Sequence, residues 1–335
     1  MYFFSQMQRS SLLVLILGIV MLFPLELQAV VQLEDLPEDL PPKPSFIDIQ
    51  RYYVAEKLAD LASGIDSFFG NDRNFQETSK SVLQIDATRV IQHGYTPSIA
   101  LSLKAKLNLP NAQKRFHLVL ESNPDQNLPG QTPAQQLQLQ GQRSSIFKEV
   151  SSPDSYGAAL RFENREDSPY RLSADGGLKL DNISIQPFLR SSGSYTIPFD
   201  LVQLKFTESL FWFNTTGVGE NSLFEVDHHY SDKTLLRSTS SATFLYNNQD
   251  FTLHQDFSIF RTLNEQSSLL YQVSADGVSR PLAEVTEYVA LLLYRRRIYQ
   301  DWIFLELNPQ LHYPQANDFQ VNSQFIVRLE FMFAK

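Results

Sequence analysis

The residues best equipped for chemistry are the six histidines and the acids beside them. The most suggestive stretch is Val226-Asp227-His228-His229-Tyr230-Ser231. A hydrolytic centre needs a nucleophile, a base and an orienting acid brought together. Asp227 and His229 share one phase of an extended strand, Ser241 is the nucleophile a neighbouring segment could bring, and His117 and His254 point the same way. Against this reading, no Gly-x-Ser-x-Gly turn is present. His228 and His229 are adjacent in an extended segment, so they face opposite sides and cannot share a metal ion. No zincin motif, Rossmann fingerprint or Gly-rich phosphate loop occurs. With no cysteine in 335 residues, thiolate metal sites, thiol catalysis and disulfide staples are excluded. The expectation is a non-enzyme with no catalytic residue, cofactor or metal site.

The remaining chemistry is charge and its placement. There are 37 acidic and 28 basic residues, a net charge of -9, and no Lys/Arg-rich tract, so a nucleic-acid partner has no electrostatic footprint. From Ser81 onward the charged residues alternate with apolar ones. Leu101, Leu103, Ala105 and Leu107 fall on one face and Ser102, Lys104, Lys106 and Asn108 on the other; Phe325, Val327, Leu329, Phe331 and Phe333 oppose Gln324, Arg328 and Glu330. Period-two patterning of this kind marks a half-buried strand. A soluble sandwich also alternates, but its strands usually run about five or six residues. These run about ten, the length a tilted strand needs to cross a bilayer. About fourteen such segments are expected between 82–92 and 318–333, with twelve as the lower count.

If the apolar phase faces lipid, the polar phase faces a lumen. The predicted lumen-facing cations are Lys104, Lys106, Arg115, Arg161, Arg165, Arg171, Lys179, Arg190, Lys205, Arg237, Arg295, Arg297 and Arg328. The predicted lumen-facing acids are Asp86, Glu121, Glu163, Asp175, Glu225, Asp227, Asp256, Glu287, Glu306 and Glu330. Two meanings are open: a paired ladder that fills and stiffens the wall, or a polar passage with a mild anion bias. Glu208 falls on the apolar phase and marks either a bulge or a register error.

The first 80 residues have a different character. Residues 1–29 carry Arg9, an apolar run Leu12 to Phe23 and the end Leu27-Gln28-Ala29, the layout of a cleaved signal peptide. Residues 30–44 form a Pro-rich acidic linker. Over 45–70, Ile47, Val54, Leu58, Leu61, Ile65 and Phe68 recur at helical spacing and close at Gly70, while the opposite face carries Arg51, Lys57, Asp60 and Asp66. This predicts an amphipathic periplasmic helix that docks on something, either closing one end of the following domain or acting as a plug or partner-binding helix.

The connections follow a barrel's rule of short periplasmic turns and longer outer loops, with a long Gln-rich outer loop at 123–154. One exception is a tight outer turn at Asp181-Asn182 beside a longer periplasmic connection at Ser194 to Phe199. Leu109-Pro110-Asn111 before Arg115-Phe116, the end Phe68-Phe69-Gly70, and Tyr294-Arg295-Arg296-Arg297 running into Asp301-Trp302-Ile303-Phe304 with Glu306, Pro309 and Pro314 resemble a family of uncharacterised proteobacterial outer-membrane proteins. The resemblance covers most of the mature chain and implies an outer-membrane barrel without lending it an activity. The aromatic last strand likewise resembles the signal read by the barrel-assembly machinery, although Ala334-Lys335 follow Phe333.

The sequence thus predicts an all-β, antiparallel up-and-down transmembrane barrel of 12–14 strands over residues 80–335, exported to a bacterial outer membrane. A pore or transport barrel for small polar or anionic solutes is the leading role. A structural or adhesive surface barrel is the alternative, and a barrel enzyme acting on lipid the third. Expected partners are outer-membrane lipid, the assembly machinery and a small solute.

Overall fold

The computed structural model describes residues 81–334 except 93–97, 110–114, 126–149, 152–154, 165–169, 182–183, 215, 248 and 301. The expected signal peptide, linker and helix, most of the Gln-rich loop and Arg165 lie outside the described residues.

Fifteen strands form in chain order. They are β1 (Val82–Gln92), β2 (Ser98–Asn108), β3 (Phe116–Ser122), β4 (Val150–Ser151), β5 (Ser155–Glu163), β6 (Tyr170–Asp181), β7 (Ser184–Pro198), β8 (Val202–Phe213), β9 (Gly217–Ser231), β10 (Thr234–Leu245), β11 (Asp250–Asn264), β12 (Ser267–Val278), β13 (Glu284–Tyr299), β14 (Ile303–Pro314) and β15 (Asn322–Ala334). The two-residue β4 lies parallel on the edge of β2. The other fourteen pair antiparallel, each with its sequence neighbours, and β1 pairs with both β2 and β15. Val82↔Ala334 on one side of β1 and Val82↔Lys106 on the other leave no free edge, so the sheet is a closed fourteen-stranded barrel.

The alternation sets the two surfaces. On β1 the buried residues are Val82, Gln84, Asp86, Thr88 and Val90, and the intervening side chains are more exposed. On the outward phase Leu101, Leu160, Leu172, Leu178, Ile185, Leu189, Leu210, Phe257 and Val273 are all exposed. An apolar exterior this continuous is far larger than the few hundred Å² a water-facing monomer shows. Aromatic pairs crowd both rims. Tyr170 stacks on Tyr195, and Trp302 packs on Tyr299, Phe331 and Phe333 at the end where the chain enters and leaves the barrel, hereafter the terminal end. Phe244 against Phe251 and Tyr288 against Phe319 mark the opposite, loop end.

Two details correct the expected layout. The Ser194-to-Phe199 connection is not a long loop, because β7 continues to Pro198. Ser194 and Thr196 stay on the inner phase, Tyr195 and Ile197 on the outer, and the Phe199 N–H closes the turn on the Val202 carbonyl at 2.8 Å. Glu208 sits on no bulge: the β8–β9 register is unbroken, and the carboxylate lies on the outer face accepting from Ser222 Oγ at 2.7 Å. The register also explains Gly219. A Cβ there would stand 2.3 Å from the Phe211 ring, which packs with Phe188 and Phe213 inside the loop end.

Candidate functional site: the inner wall

The register brings the inward charges into three groups. The largest spans the barrel's closure. Arg295 on β13, Glu306 on β14 and Arg328 on β15 stand directly opposite one another along one hydrogen-bonding row, and Glu330 lies two residues further along β15. Arg328 donates from Nε and Nη2 to the two Glu306 oxygens, both at 2.7 Å. Arg295 donates to Glu306 as well, and to both Glu330 oxygens at 3.1 and 2.5 Å. Asp86 completes the group from β1, 4.0 Å from Arg328 and held by Gln84 and Ser102 at 3.1 Å. Arg295, Glu306 and Glu330 are at most 1% exposed. Desolvated charges persist only with near-complete pairing, and two-oxygen, two-nitrogen contacts supply it.

The second group lies on β2, β3, β5, β6 and β7. Arg161 donates to both oxygens of Asp175 at 2.6 and 2.7 Å, and Arg190 bridges Asp175 at 2.8 Å to Glu121 at 2.5 Å. Lys106 Nζ stands 2.6 Å from Glu163, which His117 approaches at 3.4 Å. Lys104 is buried opposite Glu121 in the register. The third group is Arg237, doubly bonded to Asp227 at 2.6 and 2.8 Å, with Lys205 3.9 Å from Glu225 alongside.

Of the other described cations of the proposed lumen set, Lys179 on β6 is buried and donates to Asp125 at 2.7 Å, and three sit elsewhere. Arg115 is exposed at the turn before β3, while Arg171 at the start of β6 and Arg297 near the end of β13 are half-buried. All three lie on the inner phase at the terminal end, so they mark that mouth.

The proposed hydrolytic trio is not assembled. Asp227 is engaged by Arg237, and Ser241 stands opposite Leu223, four residues along the strand from Arg237. His229 and His228 point to opposite faces of β9. Among the described residues no group of three or more ligating side chains is placed to hold a metal.

Sequence reasoning missed two features. His254 lies between Asp276 at 2.6 Å and Asp256 at 3.2 Å, and His312 between Glu287 at 2.9 Å and Gln310 at 2.8 Å, towards the loop end. These partners are more than twenty residues apart in two of the four cases, so only the register reveals them. The second is an apolar row on the inner wall. This row runs from Val90 on β1 to Ile326 on β15 and, across β14, where Asn308 faces Ile326, to Leu293, Leu270, Phe260 and Leu235 on β13 to β10, joined by Leu291 from the next row. Its signal is present in the sequence as pairs apolar on both phases, such as Leu235-Leu236, Ile259-Phe260, Leu269-Leu270 and Leu291-Leu292-Leu293.

No family model matches the chain, and no curated protein does. Among solved structures it is similar to NanC porin, at 9% identity over 53% of this chain and 93% of that one with a TM-score of 0.36. KdgM porin gives 10% identity, 75% and 99% coverage and a TM-score of 0.35. The outer membrane channel DcaP of Acinetobacter baumannii gives 8% identity, 76% and 96% coverage and a TM-score of 0.43.

Proposed function

We propose that the chain is an outer-membrane transport barrel that passes small polar solutes, with anions favoured at its terminal mouth. The observation that carries this reading is the division of labour among the inner cations. The deeply buried ones are bonded to carboxylates in the wall, whereas Arg115, Arg171 and Arg297 lie at the mouth and are less buried. Fixed positive charge at a narrow low-dielectric opening raises the local concentration of anions. The apolar exterior with aromatic rims supports placement in a bilayer. An exported leader at residues 1–29, delivery by the barrel-assembly machinery, and membership of the uncharacterised proteobacterial outer-membrane family belong to the same reading.

Membrane fractionation is expected to recover the protein in the outer membrane as a heat-modifiable band. Refolded full-length protein in planar bilayers is expected to conduct ions with chloride favoured over potassium. A band that inserts correctly yet passes neither ions nor small sugars would replace this reading with that of a structural barrel.

A further inference from the structure

The outer wall changes character between its two sides. At mid-depth on β14 and β15 it presents Leu305, Leu307, Val327 and Leu329 to the bilayer. On β8 to β11 the same phase carries Glu208, Ser222, Ser240 and Gln255. Glu208 is not at a rim, because Phe206 and Leu210, two residues to either side of it, are exposed lipid-facing side chains. An acid at this depth on a lipid-facing wall is unfavourable unless something polar meets it. Ser222 Oγ donates to Glu208 Oε2 at 2.7 Å, and the other carboxyl oxygen, Oε1, accepts from no described side chain. On the far side of β9, Ser240 donates to Gln255 Oε1, and Gln255 Nε2 donates to Ser238 Oγ at 3.1 Å. That leaves the Ser238 hydroxyl hydrogen to give.

We propose that this face is where a second copy of the chain packs, as a two-fold dimer within the membrane with Phe224 on the axis. Two copies inserted in the same direction are related by an axis along the membrane normal, so their residues meet at equal depth. Glu208 and Ser240 are each the seventh residue of a twelve-residue strand that starts at the terminal end, and between them Phe224 is the eighth of fifteen on β9. A two-fold through Phe224 lays β8 of one copy against β10 of the other. Each Glu208 then faces the other copy's Ser238 and Ser240, and acceptor meets donor twice. The residue on the axis meets its own counterpart, which an exposed phenyl ring tolerates and a charge does not. Gly193 opposite Glu208 and Ala242 opposite Ser222 are small, and small residues let two membrane-embedded surfaces approach closely. Acyl chains alone would leave the Glu208 oxygen without a donor. A different membrane protein would have to bring donors at this depth; the second copy brings them by symmetry.

The inference goes beyond the transport reading and needs only the bilayer-facing exterior, since its test reads association and not passage. The chain has no native cysteine, so a single engineered thiol is unambiguous. Packed sheets lie about 10 Å apart, a gap that a short bismaleimide spans. In outer membranes holding the full-length protein, Phe224→Cys is expected to yield a species of twice the chain's mass with that reagent, whereas Leu307→Cys on the far wall stays single. Adding Glu208→Leu to Phe224→Cys is expected to cut the cross-linked fraction several-fold while the band remains heat-modifiable, and Glu208→Gln, which keeps the hydrogen-bonding group, to preserve most of it. Ser238→Val, on the donor side, is expected to weaken the cross-link in the same sense and serves if Glu208→Leu fails to insert. Absence of a double-mass species from Phe224→Cys would overturn the proposal. So would equal cross-linking through Leu307→Cys, a product with a chain of another mass, or a cross-link that none of these changes diminishes.

Discussion

Two rows of the inner wall lie side by side and solve burial in opposite ways. Arg295, Glu306, Arg328 and Thr88 form one; two residues along the same strands, Leu293, Asn308, Ile326 and Val90 form the other. In the charged row both guanidinium groups are bonded to Glu306, and Arg295 reaches Glu330 as well. The apolar row has no such internal completion, because dispersion and dehydration need a covering surface. Burial of the two rows therefore has different causes. The charged row, though it carries the most conspicuous ionisable residues, is reinforcement. On the proposed transport reading, selectivity would belong to the mouth, where the arginines are less buried.

The comparison can be broken most forcefully at Glu306. Glu306→Leu leaves two buried guanidinium groups short of a carboxylate and is expected to cost about 3–5 kcal/mol. Unfolding in lipid followed by tryptophan fluorescence measures this. The double change Glu306→Leu with Arg328→Leu should cost less than the sum of the singles, giving a coupling that a double-mutant cycle reports. If the two effects simply add, the row is not a unit.

The next effect separates inner from outer wall. Leu329→Arg faces outward between Val327 and Phe331 and is expected to cost about 2–4 kcal/mol near the bilayer midplane. Ser102→Arg, on the inner phase next to Asp86, should be milder because a carboxylate is at hand. Equal damage at both would contradict a lipid-facing exterior. Gly219→Ala is smaller again, at about 1–3 kcal/mol, since the new methyl must displace the Phe211 ring. The smallest stability effect is expected for Arg297→Gln at the mouth, within about 0.5 kcal/mol.

The alternation at 101–109 and 325–333 made the barrel legible, because one slip of register would have turned every leucine inward. Strand number followed from counting such segments. The extension of β7 was harder to see: Ser191-Ser192-Gly193-Ser194 carries almost no hydrophobic contrast, and it is a strand only because β6 and β8 hold it on both sides. The charges were readable as an inner set, but their partners were not. Arg190 meets Glu121 across 69 residues, a contact that register alone creates. The apolar row was hidden for a related reason. At Leu291-Leu292-Leu293 both phases are apolar, which reads as an emphatic lipid face when only one phase was expected to be so.

The central claim is that buried charges brace the wall while the mouth selects. The reversal potential of full-length protein in planar bilayers under a potassium chloride gradient tests it most directly, comparing Glu306→Gln with the triple change Arg115→Gln, Arg171→Gln and Arg297→Gln. The prediction is an anion-selective potential that the triple change abolishes and Glu306→Gln leaves in place. A potential unmoved by the triple change, or shifted chiefly by Glu306→Gln, would contradict it.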